Sequence, residues 1–176
     1  MRPVLVVVGG LPATGKSTVA SALAKEMKAP YLRVDRIEQA IVMWSPLAHP
    51  VGPVGYAVAH ELAAEQLALG LDVIVECVNP IALTRDGWAE AGRAAGAAVV
   101  EVELICSNTV EHQHRVETRI SDVEGLTKPA WPDVLARVYE PWDRAHLALD
   151  TAAMPIGKVV ERIATEIESI RPRSTA

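Results

Sequence analysis

Gly10-Leu11-Pro12-Ala13-Thr14-Gly15-Lys16-Ser17 stands directly after the apolar run Val4-Leu5-Val6-Val7-Val8 and directly before a segment of helical period. No other stretch constrains the chain as tightly. An apolar, β-branched run without polar alternation reads as a strand buried on both faces, hence a central strand of a parallel sheet. The turn that follows has the spacing of a phosphate-binding P-loop in its proper strand-to-helix context. Its glycines let successive backbone N–H groups face inward, and the next helix directs its positive end at the same point. Gly10, Pro12, Ala13, Thr14 and Gly15 then form a cradle, and Lys16 adds a mobile charge for the β- and γ-phosphates. The Ser17 hydroxyl is placed to ligate Mg²⁺, and Thr18 lies near the α-phosphate. Gly9-Gly10 and Gly15 do not make the Gly-x-Gly-x-x-Gly of a dinucleotide site, which sets nicotinamide chemistry aside.

Strands and helices alternate from there on. Helical spacing runs from Lys16 to about Lys28, and a short strand covers Tyr31 to Val34. Asp35 opens a helix to about Trp44, and a Pro/Gly-rich loop spans Ser45 to Gly55. A helix over Tyr56 to Leu69 stops at Gly70, and Val73-Ile74-Val75 is the third strand. Next come a helix from near Ile81 to Ala95, a strand over Ala97 to Ile105, and a helix from Asn108 to about Ile120. Ser121 to Pro132 lacks periodicity and reads as a long loop, followed by a helix from Asp133 to Arg144. A strand at Leu147-Ala148-Leu149 and a last helix carrying Val159, Val160, Ile163, Ile167 and Ile170 complete the chain. The pattern predicts an α/β layered domain with a mostly parallel sheet and right-handed crossovers.

At 176 residues the chain suits one domain, expected over 1–170, with a frayed tail at 171–176. No apolar run nears the roughly 18 residues of a membrane span, and no secretory signal is visible, so a cytoplasmic protein is expected. Cys77 and Cys106 lack metal or disulfide spacing and read as buried thiols. A net charge of −5 argues against a general binder of nucleic-acid backbones.

In open parallel sheets, ligands gather outside the carboxyl ends of the strands. Asp35, after the second strand, is a candidate general base for an acceptor hydroxyl; with Glu38 it also resembles a helix cap. Glu76, ending the third strand, could hold an acid beside the metal, act as the base, or pair with a cation. Asn79 is a weaker candidate in the same crevice. Arg115 and Arg119 share a helix face just before the 121–132 loop and could close over phosphates; the alternative is a solvated face paired with Glu111 and Glu117. His112 and His114, two apart, read as surface residues and not a metal pair. Trp44, Ser45, His49 and Tyr56 flank the proline-rich loop as acceptor-pocket or core residues, while Trp131 and Trp142 read as packing residues.

Gly9 to Thr18, Val34-Asp35-Arg36, Val73 to Glu76 and Arg115 to Arg119 together resemble the small P-loop phosphotransferases of the adenylate-kinase-like kind. Within these, the chain resembles the group of phage polynucleotide kinase, chloramphenicol phosphotransferase and zeta toxins. That resemblance implies a three-layer P-loop NTPase fold whose five-stranded parallel sheet has the order 2-3-1-4-5, with a flap over the nucleotide at 115–132. It implies ATP and Mg²⁺ as cofactors, Asp35 as general base, and Arg115 and Arg119 on ATP. Thr151, in the Asp150-Thr151-Ala152 loop, would border the adenine. Glu38 stands where phage polynucleotide kinase has an arginine for the acceptor phosphate. The expected function is therefore γ-phosphoryl transfer to a hydroxyl of a small-molecule acceptor. Nucleic acid and membrane are not expected as partners, and a monomer or homodimer is. The alternatives are a nucleotide or polynucleotide 5′-hydroxyl kinase and a non-catalytic ATP-binding regulatory module.

Overall fold

The computed structural model describes residues 2–171. Its elements in chain order are β1 (Val4–Gly9), α1 (Lys16–Met27), β2 (Tyr31–Arg33), α2 (Val34–Trp44), α3 (Val54–Ala68) and β3 (Val73–Glu76). They continue as α4 (Ala82–Ala94), β4 (Ala98–Ile105), α5 (Thr109–Thr118), α6 (Trp131–Ala136), β5 (Leu147–Asp150) and α7 (Ile156–Ile170). The sheet has the order β2-β3-β1-β4-β5 and every pairing is parallel, as the resemblance implied. Among the described residues no helix is long and apolar enough to cross a membrane.

β1 explains why this sequence needs helices on both sides. Its residues are all buried, and alternate side chains face opposite layers. Val4, Val6 and Val8 pack with Val19 and Leu23 of α1 and Val159, Ile163 and Ile167 of α7. Leu5 and Val7 pack with Ala59, Ala63 and Leu67 of α3 and Trp88 of α4. Each fully buried aliphatic side chain in these layers contributes about 1.5–3 kcal/mol. The central strand is thereby rigid, and the loop leaving its carboxyl end inherits a fixed origin.

Four boundaries depart from the sequence reading. Val34 is the first residue of α2 and not the last of β2, α3 begins two residues before Tyr56, and α5 ends at Thr118. The helix expected from Asp133 to Arg144 instead spans Trp131–Ala136. Pro132 is compatible with a first helical turn, where its missing N–H costs nothing. Asp133 is accordingly the third helical residue, and its carboxylate accepts the Ala130 N–H at 2.8 Å. Downstream, Pro141 disfavours helix at Glu140. Buried Arg85 takes over the backbone there, donating to Pro141 O at 2.9 Å and Glu140 O at 2.6 Å while its guanidinium lies 4.4 Å from the Trp142 ring. Arg171, expected in the tail, pairs with Asp72; the remainder of that expected tail, 172–176, lies outside the described residues.

Candidate active site

The loop between β1 and α1 is shaped by contacts on its outer side. Ala13 and Gly15 have positive φ, and a Cβ on Gly10, at φ 141°, would sit 2.3 Å from Leu104 O. Only glycine allows β1 to leave the sheet so close to β4. Pro12 O is bonded by His112 Nε2 at 2.8 Å and Thr14 O by the Thr151 hydroxyl at 2.9 Å. Leu11 O accepts from Lys16 Nζ at 2.8 Å. With these carbonyls engaged, the N–H groups of Ala13, Gly15, Lys16, Ser17 and Thr18 have no backbone acceptor among the described residues. Free donors at the start of a helix are what a phosphate chain requires.

Lys16 is only 7% exposed. Burial pushes its ammonium below the usual lysine range, while the Glu76 and Asp35 carboxylates pull it back up. Beside it, the Ser17 hydroxyl donates to Glu76 Oε1 at 2.6 Å. The Tyr31 hydroxyl donates to Glu76 Oε2, and Arg33 Nε lies 3.5 Å from the same oxygen. Glu76 therefore joins a serine at the cradle to a cation at the sheet edge, and that cation pairing is one of the three roles its position left open. Ser17 and Glu76 are hard oxygen donors meeting at the mouth of the cradle, a set that suits Mg²⁺. Among the described residues no group of three or more His, Cys, Asp or Glu side chains could hold a metal.

A cleft of about 1720 Å³ opens above the loop and is lined by Lys16, Ser17, Asp35, Glu38, Arg119 and Thr151 among others. Asp35 lies in the first turn of α2, but the cap position is Arg33 and carries no side-chain capping bond. Asp35 does not cap; it presents a carboxylate to the cleft. Arg119 lines the same cleft: burial lowers the guanidinium's hold on its proton, the Asp35 charge raises it, and Arg119 Nε is buried without a hydrogen-bond partner. Arg115 is engaged differently, pairing with Glu111 and donating to the Thr151 hydroxyl at 2.8 Å and Thr151 O at 3.0 Å. The two arginines, expected to act alike, are thus separated. Arg115 is tied to the back of the cradle, and Arg119 lines the cleft with its Nε unbonded.

The 119–130 segment is fastened over the cleft. Arg33 Nη1 donates to both carboxylate oxygens of Asp122 at 2.8 and 2.7 Å, and Arg36 Nη2 donates to Asp122 O at 2.9 Å. The Arg33 guanidinium holds the Asp122 carboxyl below its usual range. Val123 is buried, and a Cβ on Gly125 would be 2.7 Å from Gln39 Nε2.

His112 corrects the surface assignment. It is buried, bonded to Pro12 O, and in edge contact with Trp131 at 5.2 Å between ring centroids. Its spacing of four from buried Val116 was the available signal, since both lie on one helix face. His114 is exposed as expected. Asn79 is fully buried against Gly9 and does not open onto the cleft. His49 and Tyr56 line the cleft, whereas Trp44 is 85% exposed and outside it. Trp131 and Trp142 make ring contacts, and Cys77 and Cys106 are buried thiols. Tyr31, Arg33 and Asp122 were not anticipated. Tyr31 and Arg33 are two apart on a strand, so they share a face, and Arg33 pairs in register with Glu76. No local pattern marks Asp122.

Comparison with known proteins agrees with this architecture. A family model described as AAA domain matches residues 5–141. A solved structure of a putative kinase from Chloroflexus aurantiacus J-10-fl aligns with TM-score 0.76 and 21% identity, covering 96% of this chain and 98% of that one. A gluconokinase from Sinorhizobium meliloti 1021 aligns with TM-score 0.66 and 20% identity, covering 96% and 97%. The Mycobacterium tuberculosis APS kinase in complex with AMPPNP and APS aligns with TM-score 0.69 and 18% identity, covering 95% and 98%. At these identities the likeness establishes the fold. A search of curated proteins finds no match.

Proposed function

This chain belongs to the AAA domain family, and on that footing we propose that it is an ATP-dependent kinase acting on a hydroxyl of a small-molecule acceptor. The observation that carries the reading is Asp35 lining the same cleft as the phosphate cradle, with Arg119 also in the lining. The structural neighbours named as gluconokinase and APS kinase support the same class of reaction.

In this reading the acceptor oxygen forms a bond to the γ-phosphorus while the bond to the β–γ bridging oxygen breaks, its electron pair leaving with ADP. The hydroxyl proton passes to the Asp35 carboxylate. Asp35 suits this role better than Glu76, whose oxygens already receive Ser17 and Tyr31. Lys16 and Arg119 stabilise charge on the transferring group, and Arg115, through Thr151, fixes the loop that would border the base. Ser17 and Glu76 would hold Mg²⁺, which when bound neutralises phosphate charge. Closing the 119–130 segment over the cleft excludes competing water.

The deciding experiment incubates the protein with ATP, Mg²⁺ and a library of small alcohols, and follows ADP release together with mass gain of one phosphoryl group. Acceptor-dependent ADP release that is lost in Lys16→Ala is the expected result. Slow hydrolysis indifferent to every alcohol would overturn it in favour of a nucleotide-binding module.

A further inference from the structure

One cleft-lining carboxyl has no part in the scheme above. Glu38 lies one helical turn beyond Asp35, on the same face of α2, and borders the cleft. Its position is built: Gly55, in the first turn of α3, gives it room, since a Cβ there would be 2.3 Å from Glu38 Cγ and 2.9 Å from Oε1. Among the described residues its carboxyl has no hydrogen-bond or ion-pair partner, and Arg137 acts on it only at a distance. Of the cations that line the cleft, Arg137 is not bonded to Glu38, and others are committed elsewhere. Arg33 and Arg36 hold Asp122, and Lys128 Nζ donates to Arg119 O at 2.5 Å. Burial first, and then the Asp35 charge, raise the Glu38 carboxyl to about 7.

A half-buried carboxyl in a binding cleft, set beside a second carboxylate and given no donor by the protein, is complementary to a donor carried by the ligand. A cation satisfies it best, because it also relieves the repulsion from Asp35. An acceptor bearing a phosphate or carboxylate would bring a third negative group to the same wall. Resting on the kinase reading, we infer that Glu38 sets acceptor specificity, selecting alcohols that carry a protonated amine a few atoms from the reacting hydroxyl. Asp35 takes the proton of the hydroxyl, and Glu38 receives the ammonium one turn away.

The test uses the full chain and a panel of alcohols arranged as matched triads, each with an amine, a neutral and a phosphorylated member on one carbon skeleton. The amine member should be preferred at least tenfold in kcat/KM over its neutral partner. In Glu38→Gln that ratio should fall to near one, with Glu38→Asp intermediate, and circular dichroism should report folded protein in each. Preference for neutral or phosphorylated members would overturn the inference, as would an amine preference that survives Glu38→Gln. Both results would leave the kinase reading standing. Absence of ADP release above the Lys16→Ala background with every triad would overturn the kinase reading itself, and this inference with it.

Discussion

The Ser17 hydroxyl donates to Glu76 Oε1 across 2.6 Å, joining the first turn of α1 to the last residue of β3. Through Arg33, which touches both Glu76 and Asp122, the same carboxylate is one side chain away from the segment that covers the cleft. The cradle, the sheet edge and the cover are therefore mechanically continuous.

Lys16→Ala should weaken binding of a non-hydrolysable ATP analogue about 10- to 100-fold, the effect of losing one charged hydrogen bond of roughly 1.5–3 kcal/mol. Isothermal titration calorimetry measures this. Undiminished affinity would contradict the cradle assignment.

Asp35→Asn should leave affinity for the analogue near that of the parent and reduce acceptor phosphorylation by about 100-fold or more. Single-turnover kinetics with any acceptor found by the library screen decide the matter. A parental rate would remove Asp35 from the chemistry.

Gly10→Ala meets Leu104 O at 2.3 Å and must hold φ at 141°, outside the comfortable range of alanine. Strain and overpacking of this kind cost about 2–4 kcal/mol together. Urea denaturation should show a lower midpoint with an unchanged m-value.

Glu38 predicts a pH signature in stability. Its carboxyl titrates near 4.5 when unfolded and at about 7 in the fold. Between those values the native state keeps a proton that the unfolded chain has lost. This group's contribution is therefore fully present below pH 4.5 and is lost as the pH rises through 7. Because the carboxyl is partly open to solvent, the loss is about 1–2 kcal/mol and not the larger unscreened value. Glu38→Gln should thus gain about that much over the parent at roughly pH 8 and almost nothing at roughly pH 5. Equal differences at both pH values would show that Glu38 titrates normally.

Asp122→Asn should release the cover without unfolding the domain. Its carboxylate is exposed, though Arg33 is not, and the pair is worth about 1 kcal/mol, or roughly fivefold in an opening equilibrium. Hydrogen exchange at 121–128 should quicken by about that factor while β1 amides stay unchanged. No change in that segment would mean that its other ties, among them Arg36 to Asp122 O, Lys128 to Arg119 O and buried Val123, suffice to hold it.

Local pattern made β1, the cradle and most helices legible, because each rests on residues adjacent in the chain: an unbroken apolar run, glycines at fixed offsets, apolar positions at helical period. The sheet order followed from the resemblance and not from any spacing. Where local pattern had two meanings, it chose wrongly or left the choice open. His112 looked exposed beside His114, yet Pro12 O and Trp131 bury it. The helix from Asp133 was extended to Arg144, yet Arg85 claims the carbonyls of Glu140 and Pro141.

What the sequence by itself determined is the phosphate cradle and the layered α/β frame that presents it, since both are encoded within a few residues of where they act. What the tertiary structure decided is the company each charge keeps. Arg33 meets Glu76 only through the β2–β3 register, and it meets Asp122 from 89 residues away. A charged side chain has no periodicity that names its partner. The pairing is chosen when the sheet closes and burial makes an unpaired charge costly.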